Sequence, residues 1–257
     1  MSKRKSGALR DHETKMAHSK KEIQTFYKNE SKTIQFDTQR PKINNRIVQL
    51  VPKTVNQEKY ILAILNSKID IVIAAGPAGT GKTYLAMQAA IKAMKAGECE
   101  RIILSRPAVG VDDEKHGFLP GDLNQKMEPW TKPLIDVLRE YYSAKDIAHM
   151  LDEQIVEIAP LAFCRGRNFK NSYVILDEAQ NCTPSQLKMI MTRIGVGSKI
   201  IITGDVDQAD RKSADNGLLD LLKRLKAHKV PGLETCELDM KDVQRHKIIE
   251  HILMMYQ

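Results

Sequence analysis

Residues Gly76-Pro77-Ala78-Gly79-Thr80-Gly81-Lys82-Thr83 are a run of small side chains closed by a cation and a hydroxyl. The spacing satisfies GxxxxGK[ST]. Glycines let successive backbone N–H groups converge on one phosphate. A helix that starts at the lysine aims its positive dipole end at the same place. In such a loop Lys82 neutralises β- and γ-phosphate oxygens, and the Thr83 hydroxyl ligates Mg²⁺. Tyr84, which follows, is counted with the nucleotide-binding residues. A second apolar run, "YVILDEAQ" (173–180), ends in Asp177-Glu178. Asp177 suits Mg²⁺ held through water. Glu178 is placed to orient and deprotonate an attacking water. A third, "IIITGDVDQAD" (200–210), carries Gln208 three residues after Asp205. A neutral amide there can touch both the γ-phosphate and the water. The implied ligands are ATP and Mg²⁺.

The acid pair and the glutamine favour hydrolysis. A small-molecule kinase needs an acceptor pocket and a lid, not a water-activating glutamate. Arg165 and Arg167 in "CRGRNF" keep the kinase as an alternative. A nucleotide-gated interaction module with little turnover is another.

These groups can meet only if the surrounding elements bring them to one edge. From about Ile47, short apolar runs alternate with longer helical patterns. Strands are expected at 70–75, 101–105, 155–159, 173–177 and 199–204, each continuously apolar as in a strand buried on both faces. Helices are expected at 82–95, about 130–142, 145–152, 184–194, 215–228 and 242–256. Thr183 before Pro184 reads as an N-cap followed by proline at the first helical position. The alternation predicts an α/β fold, a parallel sheet flanked by helices. The stretch 106–130 has turn residues throughout. A loop of that length is usually functional or mobile.

The chain has 257 residues, 42% of them hydrophobic, enough for one domain with a sizeable core. Its formal charge of +8 suits a polyanion partner. Residues 1–45 hold 11 Lys/Arg against 5 Asp/Glu, and so six of those eight charges. This segment reads as a basic, largely disordered N-terminal extension with one short strand at "KTIQF", or as an arm for a nucleic-acid backbone. No apolar region follows the opening "SKRK", and no apolar run reaches the roughly 18 residues of a membrane span. No membrane partner is expected. Cys99, Cys164, Cys182 and Cys236 are not at zinc-ligand spacing and read as reduced thiols of a cytoplasmic protein.

The chain resembles the PhoH-like ATPases, which are related to the first RecA-like domain of superfamily 1 helicases. The resemblance rests on "GPAGTGKTYLA", "SRPAVGVDDEKHGFLPGDLNQKMEPWTKPL", "VEIAPLAFCRGRNFKNSYVILDEAQNCTPSQLKMIMTRIGVGSKIIITGD" and "DVQRHKIIEHIL", and covers residues 46–257. It implies a RecA-like (ASCE) P-loop fold with "KIIITG" between the other two motif strands, which would bring Gln208 to the γ-phosphate. It also implies that Gln57 reads the adenine edge, the alternative being a solvated polar residue before a helix. "SRPAVG" (105–110) looks like the helicase motif that faces the nucleic-acid strand. Arg245 matches the family's C-terminal arginine, as an arginine finger, an internal γ-phosphate contact or a plain surface residue. After "TGD" the chain departs from the family: Val206-Asp207-Gln208-Ala209-Asp210 keeps the glutamine but not the Leu-Pro that commonly follows.

Helicases of that superfamily place ATP between two such lobes, and one lobe needs roughly 150–200 residues. One P-loop, one acid pair and one sensor glutamine make a single lobe. The expectation is therefore a homo-oligomer, most readily a hexameric ring closed head to tail. ATP would sit at subunit interfaces, with Arg245, Arg211, Arg193, Arg167 or Arg165 reaching across. The expected partner is single-stranded nucleic acid, RNA more than DNA.

Overall fold

The computed structural model describes residues 47–107, 132–208, 216–244, 248 and 255. The basic extension, most of the 106–130 stretch, Arg211, Arg245 and most of the helix expected over 242–256 lie outside these residues; Val243 and Gln244, at the start of that expected helix, are not helical. Within that last span Ile248 and Met255 are helical.

Six strands form the sheet: β1 (Ile71–Ala75), β2 (Arg101–Arg106), β3 (Val156–Pro160), β4 (Ser172–Leu176), β5 (Lys199–Gly204) and β6 (Leu233–Glu237). Their order is β3-β2-β4-β5-β1-β6 and every pair is parallel. The five expected strands are present within a residue of their expected bounds. β5 lies between β1 and β4, as the resemblance implied. β6 was not expected. Its residues LETCE carry two carboxylates and form the outer edge, where a strand buries less and alternates polar with apolar.

The helices are α1 (Val55–Leu65), α2 (Lys82–Ala96), α3 (132–139), α4 (Ala144–Asp152), α5 (Pro184–Met191) and α6 (Gly217–Ala227). α1 was missing from the expected helices, and it changes the setting of Gln57. That residue lies inside α1, where its backbone N–H donates to the N-cap hydroxyl of Thr54 at 3.2 Å, not ahead of the helix. Thr183 and Gln186 form the capping box that starts α5, with Pro184 at its head as expected. α5 stops at Met191, short of 194. The chain there turns to bridge Phe169, whose N–H donates to Arg193 O at 2.9 Å.

Period-two alternation of the strands divides the core into two layers. Val72, Ile102, Leu104, Ile175 and Ile201 pack with Tyr60, Leu85, Met87 and Leu138, under α1 to α4. Ile73, Ile103, Val174, Leu176, Ile200 and Ile202 pack with Leu187, Ile190, Leu218 and Leu221, under α5 and α6. Each such aliphatic side chain contributes about 1.5–3 kcal/mol by leaving water.

All four cysteines are buried and free. Burial pushes three of these thiols up, Cys99 to about 12, Cys236 to about 11 and Cys164 above its ordinary value. Among the described residues no helix is long and apolar enough to cross a membrane.

Candidate active site

β1, β5 and β4 are adjacent and parallel, so their carboxyl ends share one edge. Three loops leave there: Gly76–Gly81 after β1, Asp177-Glu178 after β4, and Asp205–Gln208 after β5. Crevices outside the carboxyl ends of such strands are where α/β sheets take ligands. A cavity of about 250 Å³ lies at this edge. It is lined by Ala78, Gly79, Gly81, Lys82, Thr83, Tyr84, Asp177, Glu178, Gly204, Asp205 and Gln208.

The loop after β1 needs glycine for two reasons. Gly79 and Gly81 have φ of +84° and +81°, the left-handed region. Gly81 is also the N-cap of α2 and makes no side-chain capping bond, so the helix presents its first N–H groups uncovered by a cap. Gly76, at φ +154°, touches the segment after β6: a Cβ there would stand 2.3 Å from Leu238 O. We expect Gly76→Ala to destabilise the chain by about 3 kcal/mol. At this size that lowers the melting midpoint by roughly 6–12 °C in a thermal scan. An unchanged midpoint would refute the close approach.

Lys82 is 8% exposed, and its ammonium turns into the loop. Nζ donates to Gly76 O at 2.7 Å, Pro77 O at 2.8 Å and Thr80 Oγ1 at 3.3 Å. The cation therefore lies inside the ring of backbone that a phosphate would fill. Gln57 supports the loop from behind. Its Nε2 donates to Thr80 O at 3.0 Å, and its Oε1 accepts from Lys53 N–H at 2.8 Å. The Tyr60 hydroxyl donates to Lys82 O at 3.2 Å. Gln57 is 3% exposed, and in this structure its amide holds the loop and contacts no open face of the cavity.

Asp177 Oδ1 accepts from the hydroxyls of Thr83 at 2.8 Å and Thr203 at 2.7 Å. The register explains Thr203: Leu176 pairs with Ile202, so the next residue on each strand, Asp177 and Thr203, stand side by side. A carboxylate with a hydroxyl bonded to it is a hard oxygen pair, the donor chemistry that Mg²⁺ prefers. Glu178 has φ +56°, rare for a residue with a side chain. That turn swings its carboxylate toward the cavity. Glu178 Oε1 accepts from Arg106 Nη2 at 2.5 Å, and Oε2 accepts from Gln180 Nε2 at 2.6 Å. Arg106 also lies 3.8 Å from Asp177 Oδ2.

Gln180, 1% exposed, ties the three loops together. Its Oε1 accepts from Asp205 N–H at 3.1 Å, and its Nε2 reaches Gln208 O at 3.4 Å. Asp205 Oδ2 in turn accepts from Ala78 N–H at 3.1 Å. Tyr84 donates to Glu140 Oε2 at 2.9 Å. Partial burial, then the Glu140 carboxylate, pushes its phenol to about 12, so it stays a donor at neutral pH.

The expected residues thus converge, except where the structure is silent or places them elsewhere. Arg245 is outside the described residues, though Gln244 just before it donates its N–H to Gly79 O at 2.8 Å. Arg167 makes a two-pronged ion pair with Glu157 and stacks over Phe169, and Arg165 is exposed nearby. Arg193 donates to Thr192 Oγ1 at 3.3 Å. Among the described residues no arginine lines the cavity. Sequence reading missed Arg106, Gln180, Thr203 and the Asp205 carboxylate. All four lie in stretches already singled out, "SRPAVG", "DEAQ" and "TGD", but none was given its contact there.

The family model of PhoH-like proteins matches residues 49–257. A PhoH-like protein of Bacillus subtilis (strain 168) is 47% identical over 205 residues, which cover 79% of this chain and 63% of that one. Protein PhoH of Escherichia coli (strain K12) is 39% identical over 180 residues, 69% of this chain and 50% of that one. The chain therefore spans between half and two thirds of the length of these relatives. Among solved structures, it is similar to the SWI2/SNF2 ATPase core of Sulfolobus solfataricus in complex with dsDNA. That match has 15% identity and a TM-score of 0.39, covering 70% of this chain and 36% of that one.

Proposed function

Because the chain belongs to the PhoH-like protein family, we propose that it binds ATP with Mg²⁺, hydrolyses it, and couples turnover to single-stranded nucleic acid, RNA in preference to DNA. The observation that carries this reading is the meeting of Lys82, Thr83, Asp177, Glu178 and Gln208 around one cavity. In it, the P-loop amides and Lys82 receive the phosphates. Thr83 and Asp177 hold the metal, which when bound offsets charge on the phosphate oxygens. Glu178 takes the proton of the attacking water, and Gln208 orients that water. The net charge of +8 supports a polyanion partner. The four free thiols suit the cytoplasm.

Turnover coupled to movement needs an arginine at the γ-phosphate. None lines the cavity among the described residues. A homo-oligomeric ring, a hexamer, would supply one from the next subunit. Arg245 is the alternative within the same chain, since Gln244 lies against the P-loop.

A second reading is a nucleotide-gated interaction module with little turnover. It is favoured by the two donors that already occupy both oxygens of Glu178. Steady-state ATPase with and without single-stranded RNA separates the two, read beside the solution mass. Stimulation by RNA supports the nucleic-acid-linked ATPase. Slow turnover that ignores RNA and DNA supports the module. A fully active monomer at working concentration would remove the ring.

A further inference from the structure

The Arg106 guanidinium stands at the carboxyl end of β2, one strand over from the Asp177-Glu178 turn, because β2 pairs with β4. It donates to Glu178 at 2.5 Å and lies 3.8 Å from Asp177. The other oxygen of Glu178 accepts from Gln180. A carboxylate with a donor on each oxygen is fixed in place, and a water approaching it must compete with those donors. The acid proposed to activate water is therefore restrained by these two side chains.

The restraint is reachable from outside. The side chains of Arg106 and Glu178 are 24% and 37% exposed. Ion pairs at that exposure are held weakly and exchange readily. A phosphodiester offers a guanidinium the same pair of oxygens that a carboxylate does. Exchanging one for the other costs the arginine little. It leaves Glu178 with an open oxygen.

We propose that Arg106 is the positioning residue that gates hydrolysis: it holds Glu178 until the backbone of a single-stranded nucleic acid draws the guanidinium away. This rests on the ATPase reading above and names its regulation. The remaining bonds give the gate its route to the nucleotide. Gln180 joins Glu178 to Asp205, and Asp205 joins the P-loop at Ala78. A shift of Glu178 is felt at the phosphate end of the cavity.

The test measures kcat and ATP affinity for the full chain, Arg106→Ala, Arg106→Lys and Glu178→Gln, each with and without poly(U). The gate requires Arg106→Ala to raise the basal rate about fivefold, the range an ion pair of this exposure can hold back. It also requires that variant to lose stimulation by poly(U) while ATP affinity stays at the native value. Arg106→Lys, which keeps the charge without the fork, should restore part of both. Arg106→Gln is measured in parallel and read the same way, so that one misfolded variant does not decide the result. A basal rate that falls or stays level in the alanine variant overturns the gate, and so does a native stimulation factor. A native chain with Glu178-dependent turnover but no response to poly(U) also overturns the gate and leaves the ATPase standing. A native chain with no Glu178-dependent turnover in either condition overturns the ATPase reading and the gate with it.

Discussion

Glu178→Gln protein is expected to bind MgATP as the native chain does and to turn it over about 10²–10⁴-fold more slowly, the usual contribution of a positioned general base. Glutamine has the shape of glutamate but cannot accept the proton of water. The substitution also removes the charge that Arg106 pairs with. If loss of that pair dominated, turnover would be little changed or would rise. If loss of the base dominates, it collapses. The base is expected to win, because a pair of this exposure is worth only about 1 kcal/mol or less. Single-turnover hydrolysis beside equilibrium binding of a fluorescent ATP analogue separates chemistry from affinity. Hydrolysis at the native rate would end the role assigned to Glu178.

Lys82→Ala is expected to weaken ATP binding by about 10²–10³-fold, as for truncating a buried, charge-assisted hydrogen-bond donor. The same ammonium donates to Gly76 O and Pro77 O. The variant therefore also leaves two carbonyls without that donor, and the loop relaxes toward water. A melting curve without nucleotide reads this second effect by itself. A variant that melts like the native chain and binds ATP within twofold of it would contradict the placement of Lys82.

Much of this arrangement was legible in the chain itself. Buried parallel strands are continuous apolar runs, so "IVIAA", "RIILS" and "KIIITG" announce themselves. A phosphate loop needs its residues contiguous, so spacing alone finds it. What escaped was of another kind. β6 is an edge strand with carboxylates among its five residues, and lacks the run that marks a buried one. α1 was missing from the expected helices, and the alternative that set Gln57 before a helix overlooked Thr54, the cap that places it within. The Arg106–Glu178 pair depends on β2 lying beside β4, and local spacing carries no trace of strand order. The same holds for the Thr203–Asp177 bond, which follows from register alone.

The placement of β5 between β1 and β4 sets the order in which the molecule can be built. The P-loop and the acid pair leave the ribosome before the strand that must lie between them exists. The bond from Ala78 to Asp205 closes a separation of 127 residues. Such closures are entropically costly and come late in folding, and all-parallel sheets consist of little else. Until β5 arrives, β1 and β4 have no shared neighbour, and their apolar edges stand open to other chains. The cavity is thus among the last parts to form. Nucleotide cannot template the early steps, because the place that would hold it does not yet exist. Once the sheet is closed, nucleotide affinity becomes a readout of the whole fold.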